Sequence, residues 1–209
     1  MRHLTEEIPK PLLKVNNKTF LEIIFDSLPP EVDEVVVVVK YLGDKIRQFL
    51  GDKFKGRKVS YAEGSDKGSA YSFLAAKPFI KAGERFITFY ADELITKEDV
   101  AACLAYDFSW LCWEVADPRA SNNLTLTPDG FITGIIEKPS HPTSNLVAGG
   151  LMIANSDIFS YVPEKHSTGE YYLTSLMDKF VKEHKVKAVI RNHRPSFSTP
   201  EDINASLKK

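Results

Sequence analysis

Four short segments of this 209-residue chain carry side chains suited to phosphates and metal ions. Asp92 follows the apolar run "FITFY". Open parallel sheets bind ligands at the carboxyl ends of their strands, and magnesium needs only one or two carboxylates beside substrate phosphates. The same position also suits an aspartate that caps a turn or a helix. Glu93, its neighbour, reads as a solvated turn residue. Lys138 stands in "EKP" after "FITGII", a point charge held at a strand end by the next proline. With Glu137 it forms either a phosphate-facing pair or an ordinary surface pair. Lys10 lies between Pro9 and Pro11, which restrict the backbone on both sides and preset its direction. Gly68 and Ser69 open "SAYSFLAA", where backbone N–H groups are free for an anion or a base edge, or form a plain cap.

The segments around these residues must position them. "FLEIIFDS" has apolar residues at helical spacing and ends at Pro29-Pro30. "EVVVVVK" reads as a strand buried on both faces, in the middle of a parallel sheet. "LGDKIRQFLG" reads as a helix, "RKVSYAE" as a strand, "SAYSFLAAKPFI" as a helix and "RFITFYAD" as a strand. "TKEDVAACLAYD" is a helix capped by Thr96, and "SWLCWEV" a strand. This alternation implies a doubly wound α/β sheet. The pattern then changes: "NLTLTPDGFITGIIEKP" is a hairpin around Pro-Asp-Gly, "NLVAGGLMIAN" a strand, "YYLTSLMDKFVKEH" a helix and "VKAVIRN" a last strand. "STPEDINASLKK" has the caps of a helix start. The expected architecture is α/β: a doubly wound, mostly parallel, Rossmann-like sheet with a mixed or antiparallel C-terminal half, forming one domain over residues 1–209.

Bulk properties exclude several classes. With 27 basic and 28 acidic residues the net charge is -1, which gives no basis for nucleic-acid binding. The longest aliphatic run, residues 35–39, is far short of a membrane span. The charged first residues lack a signal-peptide core, which implies a cytoplasmic protein. Cys103 and Cys112 lack metal-ligand spacing and read as reduced and buried. The five histidines show no metal motif and read as surface residues. Trp110 and Trp113 alternate on a strand and read as core.

Taken in order, "EIPKPLLKV", "FLEIIFDSLPP", "KGSAYSFLAA", "FITFYADELIT", "DGFITGIIEKPS", "NLVAGGLMI", "GEYYLTSLM" and "STPEDINAS" resemble the sugar-1-phosphate nucleotidylyltransferase family along the whole chain. Members of that family begin with a strand and a G-x-G-T-R loop, and the Pro-Lys-Pro segment follows shortly after. Met1-Arg2 falls where that loop ends. The resemblance therefore implies a chain truncated at its front, with weak activity or none.

The resemblance also implies roles. Asp92 matches the magnesium aspartate. Lys10 matches the lysine near the triphosphate, and Gly68 and Ser69 the loop that reads the base. Glu137 and Lys138 match the sugar-binding Glu-Lys-Pro, with Lys138 near the sugar phosphate. Gly150 matches the glycine that lets the sugar approach the backbone, and Glu170 the acid before the late helix. Four positions depart from the family pattern: Ser196 for a second metal ligand, Asn122 for a glycine, Ala148 for an asparagine and Ser175 for an aspartate.

The implied reaction joins a nucleoside triphosphate and a sugar-1-phosphate, with Mg2+, into a nucleotide sugar and pyrophosphate. The implied assembly is a homo-oligomer or a monomer. Two other readings share the fold type. One is a non-catalytic sensor or subunit that binds a sugar phosphate or nucleotide sugar. The other is a nucleotide-sugar-dependent glycosyltransferase, against which stands Tyr90-Ala91-Asp92 in place of Asp-x-Asp.

Overall fold

In the computed structural model, residues 7–192 are described. The expected Met1-Arg2 junction, Ser196 and the helix start at "STPEDINAS" lie outside the described residues. The elements run β1 (Lys14–Val15), β2 (Lys18–Thr19), α1 (Phe20–Ser27), β3 (Glu34–Val39), α2 (Gly43–Leu50), β4 (Lys53–Phe54), β5 (Arg57–Glu63), α3 (Ser69–Leu74) and β6 (Arg85–Thr88). They continue with α4 (Lys97–Leu104), β7 (Phe108–Glu114), β8 (Asn122–Leu126), β9 (Ile132–Glu137), β10 (Leu146–Asn155), α5 (Thr174–Glu183) and β11 (Val186–Arg191). The α/β alternation and the later hairpin both match the sequence reading. No helix among the described residues is long and apolar enough to cross a membrane.

The largest sheet has strand order β11-β7-β10-β6. β11 runs parallel to β7, whereas β10 is antiparallel to both β7 and β6. Nine of the ten residues of β10 are buried, as expected for a central strand covered on both faces. One face packs against α5 through Met152, Leu176, Met177 and Phe180, with Trp110 in the same cluster. The other carries Leu111, Leu151 and Ile153 against Val100 and Cys103 of α4. β8 and β9 form the hairpin, turning at Thr127–Gly130, where Gly130 takes φ +79° and its N–H reaches the Thr127 carbonyl at 2.9 Å.

β3 departs from expectation. Its valines predict burial on both faces, yet Val39 alone is buried and Val38 is exposed. β3 pairs in parallel with β5 on one side and is the edge of a sheet of order β3-β5-β4. With one flank unpaired among the described residues, neighbours cover only part of its faces. β6 is likewise the edge of its own sheet.

The start of α4 shows how local capping becomes a tertiary tie. Thr96 and Asp99 form a capping box, each side chain accepting from the other's backbone N–H, at 3.1 and 3.0 Å. The second oxygen of Asp99, fully buried, accepts from Arg191 Nε at 2.7 Å, so one carboxylate joins the helix to the end of β11. Asp99→Ala removes the helix cap and a charged hydrogen bond, while the freed Arg191, 32 % exposed, can turn to water. The unfolding free energy is expected to fall by ~2 kcal/mol, read as a lower urea midpoint with an unchanged slope. A midpoint equal to wild type would show that this tie contributes nothing.

Candidate active site

The site gathers where β6, β7 and β9 end and β10 begins. After Thr88 the chain turns through Tyr90-Ala91-Asp92-Glu93, closed by the Glu93 N–H on the Tyr90 carbonyl at 3.2 Å. Two consecutive acids leave this turn in different settings. Asp92 is part-exposed and accepts from Lys10 Nζ at 2.5 Å. The sequence-predicted phosphate lysine and metal carboxylate, 82 residues apart, are therefore brought together as an ion pair. Pro9 sets the entry to a single 3-10 turn, Lys10–Leu12, which carries the lysine to that position.

Glu93 is not a solvated turn residue. It is 3 % exposed, and its Oε2 accepts from the Gly150 N–H at 2.9 Å. The reason is a break in β10. Its register with β7 shifts between Ala148 and Met152, which opens the ladder at Gly149-Gly150. A Cβ on Gly150 would lie 2.1 Å from the Tyr90 nitrogen, and one on Gly149 would lie 2.4 Å from the Trp113 ring and 2.9 Å from Glu93 Oε1. Only glycines let the Tyr90–Glu93 turn press against the strand there. Gly150 thus lies against Tyr90, at the break in the strand.

The cavity beside this turn holds about 210 Å³ and is small among ligand sites. Its polar lining includes Glu93, Glu137, Asn122, Ser69 and Thr174, and its apolar lining includes Val147 and Leu173. Glu137, at the end of β9, accepts from the Thr174 hydroxyl at 2.9 Å. Burial raises its pKa from the ordinary 4.5, and that hydrogen bond offsets only part of the rise. The negative charges of Glu93, Glu137 and Asp92 all act on Tyr90.

Lys138 lies outside the cavity lining, at its rim. Its Nζ donates to the Tyr172 hydroxyl at 2.6 Å and stands 4.6 Å from that ring's centroid, and Tyr172 does line the cavity. Lys138 has φ +44°, left-handed backbone that a residue before proline rarely adopts. Such strain costs ~1–3 kcal/mol and gathers at functional sites. Glu170 is exposed, and its charge acts on both Glu137 and Lys138.

The mouth of α3 is crossed by residues 171–173. The Ala70 N–H donates to the Tyr171 carbonyl at 2.9 Å, and Ser69 Oγ accepts from the Leu173 N–H at 2.9 Å. A Cβ on Gly68, at φ +128°, would meet the Tyr171 oxygen at 2.4 Å. Residues 171–173 thus cross the helix start and take the Ala70 amide, while Ser69 still lines the cavity. Asn122 and Ala148, two departures from the family pattern, prove to be partners. The Asn122 side chain accepts from the Ala148 N–H and donates to its carbonyl, both at 2.8 Å.

A model of the nucleotidyl transferase family matches residues 1–194. The chain belongs to the nucleotidyl transferase family. It is 30 % identical over 196 residues to the bifunctional protein GlmU of Methanocaldococcus jannaschii, which covers 92 % of this chain and 46 % of that protein. It is also 30 % identical over 220 residues to the UTP–glucose-1-phosphate uridylyltransferase AglF of Haloferax volcanii, covering 97 % of this chain and 88 % of that one. This nucleotidyl transferase thus spans about half the length of the archaeal bifunctional protein. Among solved structures, a UDP-glucose pyrophosphorylase complexed with UDP-glucose superposes with a TM-score of 0.77 at 16 % identity, covering 98 % of this chain and 91 % of that one, which shows the shared fold.

Sequence reasoning missed Glu93, Trp113, Tyr172 and Thr174. One signal could have found the first two: Gly149-Gly150 inside a strand otherwise apolar marks a close approach of other groups.

Glu137 yields a test with a definite sign. Its raised pKa means that the folded protein holds this proton more tightly than the unfolded chain. The stability it contributes is present below the ordinary carboxylate value and is lost as pH rises through the raised one. Glu137→Gln, neutral throughout, is expected to be more stable than wild type at neutral pH and no more stable in acid. Urea unfolding at about pH 4 and about pH 7 measures this; equal pH slopes for the two proteins would refute it.

Proposed function

We propose that this chain transfers a nucleotidyl group from a nucleoside triphosphate to a sugar-1-phosphate, giving a nucleotide sugar and pyrophosphate. The observation that carries this reading is the division of charge. The cavity is lined by Glu93 and Glu137 and by uncharged groups, while Lys10 and Lys138 stand outside that lining, one beside Asp92 and one at the rim. Carboxylates in a small cavity repel an anion yet accept hydrogen bonds from hydroxyls. A ligand that fits both regions has a neutral polyol ring inside and phosphates outside.

The reaction then needs alignment more than proton transfer. A sugar-1-phosphate is already ionised at neutral pH, so one of its oxygens attacks the α-phosphorus with no protein base. The new P–O bond forms as the bond to the bridging oxygen breaks, and pyrophosphate leaves with the electron pair. Lys138 is placed to meet the attacking phosphate, held by Tyr172 until it arrives. Lys10 is placed to meet the triphosphate, exchanging Asp92 for phosphate oxygens.

Asp92 fits magnesium. It is a part-exposed carboxylate at a strand end, and magnesium typically takes one or two such carboxylates beside substrate phosphates. When bound, the ion supplies charge neutralisation at the reacting phosphates.

Pyrophosphate release across nucleoside triphosphates and hexose-1-phosphates tests the proposal. Release is expected to need magnesium and to fall ~10²–10³-fold in Asp92→Ala, the usual loss for one transition-state charge contact. Lys138→Ala should chiefly raise the KM for the sugar phosphate. If hexose-1-phosphates bind but no pair yields pyrophosphate, the chain is a non-catalytic binder on the same fold.

A further inference from the structure

We propose that Trp113 determines which sugar the cavity accepts, by donating its indole N–H to one ring hydroxyl of the bound sugar phosphate. This rests on the reading above and adds the specificity of that same site.

Trp113, at 5 % exposure, is the one residue among those described with a buried side-chain nitrogen or oxygen that lacks a hydrogen-bond partner, its Nε1. Buried tryptophan N–H groups are normally satisfied. Trp110, three residues earlier on β7, obeys the rule by donating to the Gly149 carbonyl. The two rings differ in surroundings. Trp110 is packed within the main hydrophobic cluster, whereas Trp113 belongs to none of the clusters and lines the cavity with Glu93, Val115 and Val147.

The Trp113 ring is also held in place. A Cβ on Gly149 would lie 2.4 Å from Cη2 and 2.6 Å from Cζ3, so the far end of the indole is seated directly under that glycine. A ring clamped at that end cannot turn to seek an acceptor elsewhere in the protein. Because the residue lines the cavity, we assign the missing acceptor to the ligand.

Chemistry narrows the acceptor. An indole N–H only donates, and an ionised carboxylate only accepts. A hydroxyl does both, so one ring hydroxyl can accept from Trp113 and donate to a carboxylate of the same cavity. A phosphate oxygen in that position would face Glu93 and Glu137 without a cation, and a ring carbon lacking oxygen would leave the N–H buried and unpaired. The cavity therefore reads a particular hydroxyl and rejects sugars that lack it.

The test is binding calorimetry with glucose-1-phosphate, N-acetylglucosamine-1-phosphate and the monodeoxy analogues of whichever binds more tightly, on wild type and Trp113→Phe. Wild type is expected to bind one deoxy analogue ~10–100-fold more weakly than its parent. Trp113→Phe should bind the parent more weakly by a similar factor and no longer distinguish that analogue, while kcat changes far less than KM. A variant that discriminates every analogue as wild type does would overturn the proposal and leave the proposed reaction standing. Failure of every hexose-1-phosphate to bind wild type would overturn both. Should Trp113→Phe not fold, the indole N–H resonances of wild type decide. The Trp113 signal, assigned with Trp110→Phe, must shift on saturation with the bound sugar phosphate, and an unmoved signal refutes the proposal.

Discussion

The break in β10 at Gly149-Gly150 is the constraint on which the site depends. Two residues without side chains interrupt the ladder of the most deeply buried strand, and three of the backbone groups released there are taken up by side chains. The Gly149 carbonyl accepts from Trp110, the Gly150 N–H donates to Glu93, and the Gly150 carbonyl accepts from the Thr88 hydroxyl at 2.7 Å. Buried backbone polar groups require partners, so the break is stable because β6, β7 and the turn after β6 supply them. In return the break seats Trp113, buries the Glu93 carboxylate and admits the Tyr90 backbone. A methyl group at Gly149 would collide with Trp113 and Glu93, and one at Gly150 with Tyr90.

A second arrangement follows from the first. The turn pressed onto β10 sends Glu93 inward and Asp92 outward, so adjacent acids serve opposite environments. Inside, charge is costly and is held by a backbone N–H or a hydroxyl. Outside, Asp92 rests against Lys10, a pair exposed enough to exchange partners when a more highly charged ligand arrives. Lys138 is restrained in a similar way by Tyr172 and by its own left-handed backbone. The resting site thus keeps its cations near their working positions on modest contacts.

The hairpin, the cap at Thr96, the strand "NLVAGGLMIAN" and the alternation of helices and strands were all legible in the sequence. They rest on local chemistry: a Pro-Asp-Gly turn, a Thr three residues before an acid, and apolar spacing. Asp92, Lys10, Glu137 and Lys138 were legible as candidates because strand ends and proline-flanked lysines have few structural duties. The burial of β3 was misjudged for an instructive reason. A run of valines states a preference for cover, but whether cover exists depends on which strand lies alongside.

Glu93, Trp113 and Gly150 show where local reading stops. Side by side in sequence, Asp92 and Glu93 carry the same charge, and nothing in their neighbours says which one is buried; the distant Gly150 N–H decides. Trp110 and Trp113, three residues apart on one strand, face opposite sides, and only the packing around β7 decides that one side is core and the other the wall of a cavity. Sequence by itself determined the α/β class, the elements and the residue types available for phosphate chemistry, since these follow from periodicity and turn chemistry within a few residues. Tertiary structure alone decided which acids face inward, which lysine meets which acid and which indole lacks a partner. Those outcomes depend on contacts between residues tens of positions apart, whose energies no local segment contains.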